Sequence, residues 1–317
     1  MSDFASMAMM RVIARGMHEL GIPLPQNPGA AIPRKGSIVD LNDKRALLAH
    51  AIDAAGMQCL VLLGRGVQYF ADEPTHRAMT SAGSPAGLFQ RWQRLEKYIH
   101  SLHRTDLIQI GEAHARVVHR ANRPDIHPSL PEDLVVSGVL AGLLESMGTR
   151  NVTIHCGALQ IYPTLNVSDL AALGEDGTSS SWTFRWQSFT PQVHLSPGSE
   201  PFNLFQADQW PEIVRRVGNI MVGETMLAPD VPKIARRLNV SSRTLQRNLA
   251  DHGYRFSQLL SEARSRIAAW RLLETQASLA EIGFLSGYSD QPHFTRDFRQ
   301  RVGVTPAQYR KDFGPAR

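Results

Sequence analysis

Residues 278–310, SLAEIGFLSGYSDQPHFTRDFRQRVGVTPAQYR, decide the fold of the C-terminal part of the chain. Ser278 is a residue type that caps helices, and the apolar residues Ile282 and Leu285 follow it at helical spacing. The Gly-Tyr-Ser sequence at 287–289 is typical of a turn. The stretch therefore begins with a short helix that ends in a tight turn.

A second helix is predicted directly after this turn. Asp290 is its cap, and Pro292 fits its first turn, where no intrahelical hydrogen bond is lost. Phe294 and Phe298, four residues apart, form its buried stripe. The polar side chains left on the outer face are Gln291, His293, Arg296 and Arg299. Glutamine pairs bidentately with adenine and arginine with guanine, so this helix-turn-helix presents side chains that can distinguish bases.

Residues 230–253, DVPKIARRLNVSSRTLQRNLADHG, repeat the plan. The helical pattern breaks at 239–240, Ser241 caps the following helix, and Gly253 ends it. The outer face of that helix carries Ser242, Arg243, Gln246 and Arg247. Between the two units, residues 256–274 place their apolar side chains in helical phase and predict a rigid connecting helix.

These features together resemble the DNA-binding domain of the AraC/XylS family of bacterial transcription regulators, over about the last hundred residues. The resemblance is most specific at Ile282-Gly283-Phe284, Gly287-Tyr288, Phe294, Arg296, Phe298, Gly303-Val304-Thr305-Pro306 and Tyr309-Arg310. It implies base contacts from Arg243, Gln246 and Arg247 in the first unit and from Gln291, Pro292, His293 and Arg296 in the second. Pro292 departs from the polar residue common in the family and offers only apolar contact, for example to a thymine methyl group.

Charge divides along the same boundary. Residues 206–317 hold 17 Lys and Arg against 11 Asp and Glu, whereas the rest of the chain has 17 basic and 18 acidic residues. A basic end beside a near-neutral body is expected when one part neutralises phosphates. Phosphate contacts are assigned to Arg236, Arg237 and Arg299. We therefore expect a domain at 1–190 for effector sensing and dimerisation, a Pro-, Gly- and Ser-rich linker at 191–205, and a DNA-binding domain at 206–317, with a new helix near Gln206.

The N-terminal two hundred residues show a mixed pattern that predicts an α+β domain with a mainly antiparallel sheet, next to an all-α C-terminal domain. Helices are expected at 4–20, 43–55 with an Asp43 cap, 85–103 and 133–146, and strands at 106–110, 114–120, 151–155 and 159–162. Trp182, Phe184 and Trp186 alternate with polar residues and predict a half-buried strand with an aromatic inner face.

The order of these elements also resembles the family branch that includes ornithine-utilisation and virulence regulators. A cluster at Trp92, Leu95, Tyr98, His100 and His103-Arg104 supports this resemblance. It implies a domain that senses a small-molecule effector and forms a homodimer. The residues expected to contact the effector are Trp92, Tyr98, His100 and Trp186.

Metal, cofactor and catalytic sites are not indicated. Cys59 and Cys156 lack a CxxC or histidine partner pattern, and each is expected in the core. His100 and His103, predicted three apart on one helix, invite a metal or haem site together with His114, His119, His127 and His155, yet no HExxH pattern or cysteine partner accompanies them. Gly64-Arg65-Gly66 lacks the third glycine of a nucleotide fingerprint and is expected to be a turn. We expect no metal, no cofactor and no catalytic residues.

The sequence thus predicts a cytoplasmic, non-enzymatic regulator of transcription that binds double-stranded DNA and a small molecule. No signal peptide or membrane span is expected, because the N-terminus mixes charged with apolar residues and the longest apolar cluster, at 57–63, is short. The resemblance implies contact with RNA polymerase and activation. Two alternatives remain open: a ligand-metabolising or haem- or metal-binding sensor enzyme with a DNA-binding tail, and an architectural DNA-binding protein without sequence preference.

Overall fold

The computed structural model describes residues 4–25, 38–71, 73–99, 102–123, 127–174, 178–191, 204–205, 210–224 and 229–314. The chain forms two compact units, one from Met1–Gln68 with Met79–Val193 and the other from Tyr69–Ala78 with His194–Arg317. Of the expected linker at 191–205, Pro191, Leu204 and Phe205 fall within the described residues.

The N-terminal unit contains both helices and short strands. In chain order these are β1 (Phe4–Ser6), α1 (Met7–Glu19), β2 (Ile38–Asp40), α2 (Leu41–Ala55), α3 (Leu60–Gly64), α4 (Pro74–Thr80, whose first five residues group with the second unit), α5 (Pro85–Ile99), β3 (His103–Ile110), β4 (His114–Ala121), α6 (Leu130–Ser146), β5 (Thr149–Arg150), β6 (Thr153–Cys156), β7 (Leu159–Tyr162), α7 (Leu170–Leu173), β8 (Ser181–Arg185) and β9 (Ser188–Phe189).

The main sheet of this unit has five strands in the order β3-β4-β8-β6-β7, and each described pairing is antiparallel. Strand β8 lies between β4 and β6, where Trp182 pairs with Val117 and Phe184 with Ala115. Both aromatic side chains are fully buried. The α+β class and the aromatic inner face expected from the alternating sequence are therefore confirmed.

Helix α6 packs tightly on α3 through glycines. A Cβ atom on Gly138 would lie 1.9 Å from the carbonyl oxygen of Val61, and one on Gly64 would lie 2.4 Å from that of Val135. Only glycine permits backbones to approach so closely. The turn expected at 64–66 is wrong, since Gly64 ends α3 and a 3-10 helix at Arg65–Phe70 follows.

Three further expectations for this unit need correction. The first helix begins at Met7, because Phe4–Ser6 pairs as a strand with Ile38–Asp40. The cap of α2 is Asp40, whose carboxylate accepts a hydrogen bond from the backbone N–H of Asn42, and not Asp43. Helix α5 ends at Ile99, and His103 lies in β3 opposite Ala121. His100 and His103 therefore do not share a helix, because pairing with β4 places the residues from 103 onward in the sheet.

The C-terminal unit is helical in its described part. Its helices are α8 (Glu212–Glu224), α9 (Val231–Arg237), α10 (Ser242–Asp251), α11 (Phe256–Glu274), α12 (Leu279–Leu285), α13 (Gln291–Val302) and α14 (Pro306–Phe313). Gln206, where a helix was expected to begin, lies outside the described residues, and α8 starts at Glu212. Two helix-turn-helix units joined by the long helix α11 are present, as the sequence predicted.

In the described residues, no single helix combines the length and the hydropathy that a membrane span requires. Two consecutive segments, Leu41–Ala55 and Met57–Phe70, meet these requirements only together and are bent by 116° at the break.

Candidate nucleic-acid interface

The first helix-turn-helix is shaped by its caps and its turn. The carboxylate of Asp230 accepts a hydrogen bond from the backbone N–H of Lys233 (2.8 Å) and starts α9. Asn239 occupies the turn with φ 57°, a left-handed conformation that asparagine tolerates better than most residues. Ser241 Oγ then accepts from the backbone N–H of Thr244 (3.1 Å) and starts α10. Each signal is local, which explains why the sequence predicted this unit correctly.

Helix α10, the first recognition helix, has one buried and one exposed face. Leu245 and Leu249 are fully buried in a core that also includes Phe205 and Val217. On the outer face Arg243, Gln246 and Arg247 are exposed, and Ser242 is half-buried. Arg236 and Arg237, at the end of the preceding helix, are exposed as well. All five arginine and glutamine side chains assigned to DNA in this unit are therefore on the surface.

The second helix-turn-helix begins with a capping box. Ser278 Oγ accepts from the backbone N–H of Glu281 (3.2 Å), and the Glu281 carboxylate accepts from that of Ser278 (2.7 Å). Donation from the backbone N–H and the side chain of Ser278 to the Glu281 carboxylate lowers the pKa of Glu281. Asp290 caps α13 by accepting from the backbone N–H of His293 (2.7 Å), a bond that likewise lowers the pKa of its carboxyl group. Side chains thus satisfy two amide groups at the start of α12 and one at the start of α13.

Helix α13, the second recognition helix, repeats the division into two faces. Phe294 and Phe298 are fully buried with their ring centroids 5.6 Å apart. The exposed residues of its outer face are Gln291, Pro292, Arg296 and Arg299. His293 is half-buried: its Nδ1 lies 3.2 Å from Ser289 Oγ, and its ring meets the Tyr288 ring edge-on at 5.4 Å. These two contacts restrain the His293 ring.

One feature of α13 carried no signal in the sequence. Asp297 accepts a hydrogen bond from the Tyr288 hydroxyl (2.9 Å) and forms an ion pair with Arg301 (3.1 Å). Burial and the Asp297 carboxylate raise the pKa of Tyr288, so its hydroxyl remains a donor at physiological pH. Asp297 thereby ties the helix to the turn that precedes it. A charged residue on an amphipathic helix is usually solvated, so nothing in the sequence indicated that Asp297 would bind the Tyr288 hydroxyl.

Two of the four residues expected to contact an effector, Trp92 and Trp186, are buried in the N-terminal unit. Trp92 is buried in α5, and Trp186, just past β8, is buried with its Nε1 donating to the carbonyl oxygen of Glu112 (3.1 Å). Tyr98 falls in α5, and His100 lies outside the described residues.

Buried charged and polar side chains form a network inside the N-terminal unit. Lys44 Nζ lies 3.0 Å from the Glu132 carboxylate, and Asp133 bonds to His119 (2.7 Å) and to Ser179 (2.6 Å). Burial lowers the pKa of His103, beside Glu132, to about 3, so its imidazole is neutral in the folded protein. In the described part of the chain, no three His, Cys, Asp or Glu side chains converge as ligands for a metal ion.

The C-terminal part of the chain is similar to known proteins. Residues 234–312 match a family model described as a helix-turn-helix domain. The chain is 35% identical to the ornithine utilization regulator of Pseudomonas aeruginosa over 99 residues, which are 31% of this chain and 29% of that protein. It is 42% identical to the transcriptional regulator VirS of Mycobacterium tuberculosis over 77 residues, 24% of this chain and 23% of that protein.

A solved structure, the C-terminal domain of the response regulator AraT from Geobacillus stearothermophilus, is 31% identical. The match covers 34% of this chain and 92% of that one, with a TM-score of 0.30. The aligned segments span less than a third of each curated relative. The C-terminal segment has the helix-turn-helix domain that the motifs predicted.

Proposed function

We propose that this chain, whose C-terminal segment belongs to the helix-turn-helix family matched at residues 234–312, is a sequence-specific transcription regulator that binds double-stranded DNA. The observation that carries the proposal is the pair of exposed polar faces on α10 and α13. Each recognition helix has a side-chain cap at its start and a fully buried apolar face opposite the polar one. Helix α11 connects the two helix-turn-helix units. Rigid presentation of polar side chains is what reading of base edges in the major groove requires.

Roles follow from chemistry and position. Arg243, Gln246 and Arg247 on α10 would read one segment of the major groove, and Gln291 and Arg296 the next, about 34 Å away along one face of the duplex. Pro292 and His293 would contribute an apolar and a polar contact within the second segment. Exposed Arg236, Arg237 and Arg299 would neutralise phosphates and supply affinity without selectivity.

The N-terminal unit is proposed to sense a small molecule and to form a homodimer. Trp92 and Trp186, both buried, are assigned to the effector, and Tyr98 and His100 complete the set. An effector can change DNA binding only by binding one arrangement of the protein more tightly than another. Activation of transcription through RNA polymerase, in the cytoplasm, is the outcome that the AraC/XylS resemblance implies.

Selection of preferred sites from a pool of random duplexes tests the DNA-binding proposal. The full chain should enrich a defined sequence, and Arg296→Ala should weaken binding to it by about 1–3 kcal/mol with little loss on random DNA. Equal losses on both duplexes would reassign Arg296 to phosphate. Steep salt dependence with no enriched sequence would contradict the proposal and favour an architectural role.

Mass spectrometry of compounds that co-purify with the full chain tests the sensing proposal. A bound metabolite should raise the unfolding temperature when added back, and Trp92→Phe or Trp186→Phe should reduce that rise. Trp270→Phe serves as the control, because Trp270 lies in the C-terminal unit. Chemical turnover of the metabolite would favour the sensor-enzyme alternative instead.

A further inference from the structure

A buried arginine lies at the centre of the C-terminal unit. Arg266 on α11 is only 1% exposed, although a guanidinium group loses its hydration when it is buried. Its Nε donates to the Glu262 carboxylate at 2.8 Å. One terminal nitrogen donates to the carbonyl oxygen of Leu204 at 3.0 Å. Its guanidinium carbon also lies 5.0 Å from the centroid of the Phe205 ring and 5.2 Å from that of Trp210. These contacts replace much of the lost hydration.

The Leu204–Phe205 end of the expected linker is thus fixed to α11. Phe205 is fully buried and belongs to the same core as Leu245 and Leu249 of the first recognition helix. A Cβ atom on Gly218 would lie 2.5 Å from its ring, so α8 approaches it closely as well. Arg266 therefore joins the end of the linker to the core that supports the first recognition helix.

The second carboxylate oxygen of Glu262 contacts the second recognition helix. It accepts a hydrogen bond from Arg301 at 3.2 Å, and Arg301 is on α13, the second recognition helix. Arg301 in turn pairs with Asp297, which accepts from Tyr288 in the preceding turn. The side chains of Glu262 and Arg301 are about a quarter exposed. An isolated ion pair at this exposure contributes little to stability. Here, however, Glu262 is also bonded to buried Arg266, and Arg301 is also bonded to Asp297, which contacts the turn before α13.

We infer that Glu262 is a positioning residue: by holding Arg266 with one carboxylate oxygen and Arg301 with the other, it fixes the second recognition helix relative to the first. The linker end enters the same network through Leu204, so displacement of the linker acts on the spacing of the two DNA-reading faces. The inference rests on the proposed function, since this spacing matters only if both helices read DNA.

Two substitutions test the inference, each with a matched control for charge. Glu262→Gln removes the anionic bridge, and Asp251→Asn removes one negative charge from an exposed position of the same unit. Arg301→Met removes the contacts of Arg301 with Glu262 and Asp297 but leaves buried Arg266 paired with Glu262. This variant is therefore expected to fold even if Glu262→Gln does not. Its control is Lys311→Met, also at an exposed position.

The first readout needs no DNA. Spin labels at the exposed positions Ala250→Cys on α10 and Gln300→Cys on α13 report the distance between the recognition helices in the full chain. Native Cys59 and Cys156 are buried, and burial raises both of their pKa values, so neither competes for the label. The distance distribution should be narrow in the wild type and in both controls, and broader in Glu262→Gln and Arg301→Met. An unchanged distribution in both variants would overturn the inference.

The second readout uses the duplex that the wild type selects and a duplex in which only the segment read by α13 is replaced. Both variants should lose roughly tenfold in affinity for the complete site, the scale expected when one coupled contact is uncoupled. Their affinity for the replaced duplex should match that of the controls. Equal losses on both duplexes would contradict a positioning role. If the wild type selects no site, the proposed function fails, and the spin-label distances still decide whether Glu262 positions α13.

Discussion

Phe294 and Phe284 form a matched pair for testing what holds the second recognition helix in place. Both lie in the second helix-turn-helix, yet Phe294 is fully buried and Phe284 is 69% exposed. The Phe294 ring lies 5.0 Å from Tyr288 and 5.6 Å from Phe298, and a Cβ atom on Gly283 would lie 3.0 Å from it. The Phe294 ring is therefore close to three other residues of the same helix-turn-helix.

Phe294→Ala should therefore destabilise the C-terminal unit by about 3–5 kcal/mol, since a buried aromatic side chain leaves a cavity that tight surroundings fill poorly. Phe284→Ala should change stability by less than about 0.5 kcal/mol, as is usual for exposed positions. Urea unfolding of the full chain, with amide hydrogen exchange of residues 279–302 to localise the effect, measures both.

The outcome that would refute this reasoning is a loss in Phe294→Ala of less than about 1 kcal/mol, or an equal loss in the two variants. DNA binding adds a second criterion. Phe294→Ala should lose affinity for the selected site under conditions where the chain remains folded, because the outer face of α13 is no longer held. Phe284→Ala should retain that affinity, because this exposed side chain does not hold α13 in place.

Two further predictions concern the caps and the buried histidine. Ser241→Ala should cost about 1 kcal/mol of stability by leaving the Thr244 amide unsatisfied, whereas Ser241→Asn should restore the cap; retained stability in the alanine variant, measured by urea unfolding, would contradict the role. Lowering the pH from 7 to 5 should destabilise the N-terminal unit by roughly 2 kcal/mol through His103, because the unfolded chain takes up a proton near pH 6.5 while burial keeps the folded-state pKa at about 3. His103→Gln should show a correspondingly smaller pH dependence in thermal unfolding, and an unchanged dependence would sink the assignment.

The C-terminal unit was predictable because its signals are local. Ser241, Ser278 and Asp290 each accept the backbone hydrogen bond that their residue type and position implied. Gly303, with φ 90°, ends α13 where the Gly-Val-Thr-Pro motif begins. Helix caps, turn glycines and the helical spacing of apolar residues all lie within a few residues of the structure they specify. A single sequence is therefore enough to predict these helices.

The remaining features depend on contacts that are distant in sequence. Helical phase continues past Ile99 in the sequence and predicts a helix at His103, but pairing with β4 places this residue in the sheet. The glycines at 64 and 66 predict a turn, whereas the role of Gly64 is to admit the backbone of α6. Arg266 showed nothing to distinguish it from a solvated arginine on an amphipathic helix. Its burial depends on Phe205 and on Leu204, some sixty residues earlier.

Hydroxyl-radical footprinting of the full chain on the duplex that it selects tests the central claim most directly. Two protected segments should appear on one face of the duplex, about 34 Å apart, which is one helical turn. Arg243→Ala should reduce protection in one segment and Arg296→Ala in the other. A single protected segment, or two variants that weaken the same one, would contradict the claim that both recognition helices read DNA together.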